Sequence, residues 1–131
     1  MSKRRYFQIG GVINILFVIF HLSFWKVLNW PQNLASLSAD NRAIIQVLNI
    51  HIAYVLLIFG ILPLAFSDEI VTSKLGRFMG WVVAVFWILR AINQIIFWDV
   101  AAVGSWVAVL VCLVISILYI VPLFRLRRNQ S

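Results

Sequence analysis

Residues 101–124 read AAVGSWVAVLVCLVISILYIVPLF, without one charged side chain. A helix needs about 20 such residues to cross roughly 30 Å of hydrocarbon at ~1.5 Å per residue. A soluble helix of that length would carry a polar face with a period of about 3.6 residues. A transmembrane β-strand would alternate apolar and polar side chains over about 10 residues. Neither pattern is present, so the stretch reads as a membrane-spanning helix.

Three more stretches of this kind lie upstream, at 7–25, 44–66 and 78–98. The four together predict an all-α integral membrane protein, an antiparallel four-transmembrane-helix bundle, with residues 1–131 as a single domain. Composition agrees. The chain is 63% hydrophobic and 11% charged, where soluble domains hold about 45–50% and about 25%. One cysteine excludes a disulfide framework, a Cys-rich zinc module and a thiol redox pair. The connection 99–105 is so short that the third and fourth spans are expected to be antiparallel neighbours. The connection 67–76 reads as a plain linker. In the longer connection 26–43, Trp30-Pro31-Gln32-Asn33 reads as a turn and 34–37 as a short interfacial helix. Ser38 or Asp40 then caps the second span.

Charge sets the expected orientation. Lys3, Arg4 and Arg5 precede the first span, Lys74 and Arg77 lie between the second and third, and Arg125, Arg127 and Arg128 follow the fourth. Against these eight stand Lys26 and Arg42 on the other side. The positive-inside rule makes both termini cytoplasmic, as expected in a bacterial inner membrane. The net charge of +7 is thus a topology signal, and the lipid bilayer is the expected partner. A nucleic-acid partner is excluded, because the basic residues fall in short separate clusters rather than on one folded face. The first span is longer than a signal-peptide core, no small-x-small site follows it, and it is expected to stay uncleaved. Trp25, Trp30, Trp98 and Trp106 fall near the outer boundary and Tyr6, Trp81 and Tyr119 near the inner one, as interfacial aromatic belts do. Trp87 lies mid-span and reads as packing.

The functional argument rests on polar residues inside the spans: Asn14 and His21, then Gln46, Asn49 and His51, then Arg90, Asn93 and Gln94, then Cys112 and Ser116. Such residues are costly in hydrocarbon and mostly face the bundle interior. Counted from the cytoplasmic boundary at ~1.5 Å per residue, His21 stands about 21 Å up, His51 about 22 Å and Arg90 about 18 Å. Three spans therefore bring their most unusual side chains to one level in the outer half of the membrane. The site expected there has His21 and His51 as ligands of a transition metal, zinc or copper, or as the axial pair of haem b. Arg90 supplies a fixed positive charge, Asn49 and Gln94 orient the bound group, and Trp25 and Trp98 cover it from the outer water.

Each part of this expectation has a competitor. Neither histidine has a glycine beside it to admit a porphyrin, and adjacent helices stand only about 8–10 Å apart. Zinc asks for at least three protein ligands, which would bring in a homo-oligomer. Arg90 cannot ligate a metal and favours the alternative, an amphipathic small molecule such as a quinone or lipid in a pocket between helices. The plain alternative is a non-catalytic scaffold or subunit whose polar groups only tie helices together. Asn14, Asn93, Cys112 and Ser116 are assigned to that role. Asn49 and His51 stand about 200° apart around a helix, so both cannot face one centre. No Ser-His-Asp set, phosphate loop or carboxylate cluster points to an enzyme.

Overall fold

The computed structural model describes residues 2–99 and 101–128, apart from the side chains of Arg127 and Arg128. The charges of those two arginines, expected in the basic cluster after the fourth span, therefore lie outside what is described. The described residues are all helix and connection, without a strand. The helices are α1 (Lys3–Leu22), α2 (Phe24–Val27), α3 (Trp30–Asn33), α4 (Ala39–Ala65), α5 (Ser67–Thr72), α6 (Lys74–Phe97) and α7 (Val103–Arg128). Four of them, α1, α4, α6 and α7, are long and apolar enough to cross a membrane.

Helix limits follow local chemistry. Ser2, Ser38 and Ser73 each accept a hydrogen bond from the backbone N–H three residues on, capping α1, α4 and α6, as N-cap serines do. The Ser38 cap starts α4 five residues before its apolar run, so its first turn carries Asp40 and Arg42. Basic residues likewise lie inside the first turns of α1 and α6, where long side chains can lift their charges away from hydrocarbon. Residues 30–33 form the short helix α3 rather than a turn, and 34–37 form turns rather than a helix. Pro31 stands in the first turn of α3, where its fixed φ suits a helix and its missing N–H costs nothing. The linker 67–76 holds α5, whose Ile70 is buried against the bundle.

Two close pairs build the bundle, α1 with α4 and α6 with α7, and α1 also packs on α7. Contacts between α1 and α4 run from Gly11 against Gly60 at one level to His21 against Asn49 at another. Helices α4 and α6 do not pack backbone to backbone. They meet through the rings of Phe59 and Phe86, 5.2 Å apart and nearly perpendicular. The core is apolar, with Phe7, Leu56, Val83, Ala84, Trp87 and Ile115 among its buried members. The start of α1, the last turns of α7 and the α4–α6 connection share one end of the bundle. There Lys3 Nζ donates to the Arg125 carbonyl at 3.4 Å, and Arg4 pairs with Asp68.

Tyr119 departs from the belt expectation. It is 1% exposed, in the middle of the core, because Gly10 opposite leaves room for its ring. Trp30 is also buried, in T-shaped contact with Phe24 and Trp25. Trp25, Trp98 and Trp106 are exposed as expected.

Candidate functional site

The deepest polar group is Asn14, which is wholly buried. Its amide donates to the Gly10 carbonyl at 2.8 Å and to the Tyr119 hydroxyl at 3.2 Å. Its oxygen accepts the Trp87 indole N–H at 3.2 Å. One side chain therefore ties α1, α6 and α7. Ser116 adds a bond from α7 to the Ala84 carbonyl of α6 at 3.1 Å. Every polar atom of the Asn14 network has a partner, and such networks fix helices without needing a ligand.

Toward the end away from the termini the polar groups change character. His21 Nδ1 and Asn49 Oδ1 lie 2.8 Å apart, and Asn49 Nδ2 donates to the His21 carbonyl at 2.9 Å. A carbonyl only accepts, so the second bond fixes the amide's orientation. The first then requires a proton on Nδ1, and in a neutral imidazole Nε2 carries the lone pair. Phe24 lies against this half-buried ring at 4.7 Å.

Arg90 and Gln94 stand one turn apart on α6. The guanidinium carbon of Arg90 lies 5.0 Å from the Trp98 ring centre, a cation–π contact. Trp98 is about 12 Å further along the chain direction at ~1.5 Å per residue, so Arg90 reaches up toward the end of the bundle. Gln94 is 4% exposed. Its Nε2 donates to Ser105 Oγ at 3.3 Å, and Ser105 Oγ donates to the Asp99 carbonyl at 2.7 Å. The serine proton goes to a group that only accepts, so the serine must receive the glutamine's N–H. The amide is thereby oriented, and its Oε1 points elsewhere.

Two buried side-chain atoms lack a protein hydrogen-bond partner among the described residues: Arg90 Nη1 and Gln94 Oε1. A buried unpaired polar atom costs about 1–3 kcal/mol, more when charged. Here a charged donor and a neutral acceptor share one stretch of α6.

The expected site is only partly assembled. His21 and Asn49 are joined, and Arg90, Gln94 and Trp98 are grouped. His51 is not brought to His21. It is exposed on α4, with Nδ1 bonded to the Val47 carbonyl at 2.8 Å. Asn49 faces α1, so His51, about 200° further round, faces away from the bundle. Trp25 does not cover Arg90. With Asn49 it lines a small cleft of about 130 Å³, completed by Leu22, Trp30, Gln46 and Ile50. Asp99 does not pair with Arg90 either, and its carboxylate accepts the Ala101 N–H at 2.8 Å.

The donor set does not fit a metal or haem within one chain. Each histidine offers a single lone pair, on separate faces of the molecule. No group of three or more His, Cys, Asp or Glu side chains gathers among the described residues. The α1–α4 contact is also closed at the histidine level, where Asn49 bonds both the ring and the carbonyl of His21. Ser105, which sets the direction of Gln94, was not singled out by sequence. Its signal is a serine just beyond a tight connection, facing a glutamine at the end of the preceding span.

A scan of protein-family models, a search of curated proteins and a search of solved structures each gave no match.

Proposed function

We propose that this chain is an antiparallel four-helix bundle of the cytoplasmic membrane, both termini inside, that binds an amphipathic small molecule in the outer half of the bilayer. Orientation rests on the shared end of Lys3, Arg4, Lys74, Arg77 and Arg125 and on the positive-inside rule. Binding rests on one observation, the unpartnered Arg90 Nη1 and Gln94 Oε1 on adjacent turns of α6. Intramembrane ionisable groups mark binding or transport sites more often than structural ones. The polar head of the ligand would meet these two atoms below Trp98, with the His21–Asn49 pair beside it. A His-ligated metal or haem would need a second chain to complete the ligands, whereas a small molecule would need only the two atoms of α6.

Purification in mild detergent, followed by native mass spectrometry and metal analysis, tests this. An organic molecule at near-stoichiometric occupancy, lost in Arg90→Gln, is the expected result. A wild type that is as empty as Arg90→Gln and no less stable would leave only a scaffold. Stoichiometric zinc or copper that disappears in His21→Ala would favour the metal instead.

A further inference from the structure

The two open atoms specify more than a generic amphiphile. Arg90 Nη1 carries a proton and positive charge, and it calls for an anionic oxygen. Gln94 Oε1 can only accept, and its orientation is fixed through Ser105 and the Asp99 carbonyl. It calls for a hydroxyl or N–H. A plain carboxylate or phosphate satisfies the arginine and leaves Gln94 unmet. A quinone carbonyl fails in the same way, and a quinol supplies hydroxyls without negative charge. The head must hold an anion and a neutral hydroxyl close together, because an ammonium donor would set a second positive charge beside Arg90.

Depth and access narrow the source. Gln94 lies about 6 Å below Trp98 along α6 at ~1.5 Å per residue, near the level of lipid headgroups. Phe86 and Arg90 are i,i+4 neighbours on one face of α6, and Phe86 points at Phe59 of α4. Arg90 therefore lies just beyond the ring contact in the α4–α6 seam, where the two backbones do not close on each other. A head group entering this seam from the side, out of the bilayer, would displace the side chains that cover both atoms.

We infer that the ligand is an anionic phospholipid with a hydroxylated head, a phosphodiester carrying a glycerol, with phosphate on Arg90 and a glycerol hydroxyl on Gln94. This rests on the ligand-binding reading above. The chemistry is shared by the free headgroup, so the test must separate the two sources.

The experiment is titration of the detergent-purified full chain, read by native mass spectrometry. The probes are dioleoyl phosphatidylglycerol, dioleoyl phosphatidylmethanol, dioleoyl phosphatidylcholine, ubiquinol and soluble glycerophosphoglycerol. Phosphatidylmethanol keeps the charge and lacks the hydroxyl. Phosphatidylglycerol should bind about tenfold more tightly than phosphatidylmethanol, the effect of one hydrogen bond to a buried acceptor. Gln94→Met should remove that difference, and Arg90→Gln should bring both anionic lipids to the phosphatidylcholine level. Gln94→Glu guards against a folding artefact. Its carboxylate would sit one turn from Arg90 and serve as an internal anion. It should raise the melting temperature and abolish the preference for phosphatidylglycerol. Equal binding of phosphatidylglycerol and phosphatidylmethanol by the wild type overturns the inference, as does a Gln94→Glu variant that keeps the preference. Binding of the soluble headgroup as tightly as the lipid overturns the bilayer source. Arg90-dependent binding of ubiquinol without phosphatidylglycerol overturns the inference and leaves the ligand-binding reading standing. If no probe binds, both fall.

Discussion

At the scale of single residues, the polar side chains divide by whether their partners are complete. Asn14 makes three hydrogen bonds at zero exposure, and two of them cross to other helices. Interhelical hydrogen bonds in membranes are worth about 0.6 kcal/mol on average and up to about 1.7 kcal/mol. Asn14→Val removes both and leaves the Tyr119 hydroxyl and the Trp87 N–H unpaired in the core. Reversible unfolding in mixed detergent should show a loss of about 1–3 kcal/mol, and an unchanged midpoint would mean the network carries no stability. Tyr119→Phe should lose less, because Asn14 keeps its bonds to Gly10 and Trp87. Asn14 was legible as helix glue from its type and depth alone. Its partners were not, since Tyr119 near a span end matches an interfacial anchor as well as a core residue. The deciding fact, Gly10 opposite the Tyr119 ring, is a contact between chain ends that no local pattern announces.

At the scale of elements, close approach decides which helices pair. A Cβ on Gly11 would stand 2.9 Å from the Gly60 carbonyl oxygen, a rigid neighbour. A Cβ on Gly60 would first meet Ile15 Cδ1 at 2.4 Å, the free end of a side chain, and then the Gly11 carbonyl at 3.2 Å. Overpacking a tight contact costs about 1–3 kcal/mol. Gly11→Ala should therefore destabilise more than Gly60→Ala, and Ile15→Ala should rescue Gly60→Ala while leaving Gly11→Ala impaired. A double-mutant cycle on unfolding free energies reads this directly, and equal rescue of both would show that the backbones have room to part. Two other glycines bracket the scale. A Cβ on Gly76 would lie 2.1 Å from the Glu69 carbonyl oxygen at the α5–α6 corner, whereas Gly104 has nothing within 4 Å. Gly76→Ala should abolish folded yield. Gly104→Ala should be harmless or stabilise the start of α7 by up to about 1 kcal/mol, and size-exclusion profiles of the two variants make the comparison.

At the scale of the whole molecule, the sequence carried one coordinate well and the other poorly. Height along a helix is a count, and the count set His21 and Arg90 at neighbouring levels. Azimuth is different. In water the polar face of a helix says which side is buried, but α4 is apolar nearly all round, and lipid accepts either face. The 200° between Asn49 and His51 showed that one of them must face out, without showing which. Two measurements act at this scale. In a Cys112→Ser background, Gln32→Cys should react with an impermeant maleimide in intact cells and Lys74→Cys only after lysis, and the reverse pattern would invert the orientation. His51 bears on what surrounds the chain. Its ring is exposed, its Nδ1 is bonded to the Val47 carbonyl, and Ile44, Val47, Leu48 and Tyr54 of the same helix are exposed too. Against hydrocarbon the other ring nitrogen gains nothing, so His51→Leu should leave unfolding within about 0.5 kcal/mol of wild type, or raise it, as surface changes away from buried contacts do. A loss above about 1 kcal/mol, together with a shift to smaller apparent mass, would mean that a second copy hydrogen-bonds the ring and that this face of α4 is an interface.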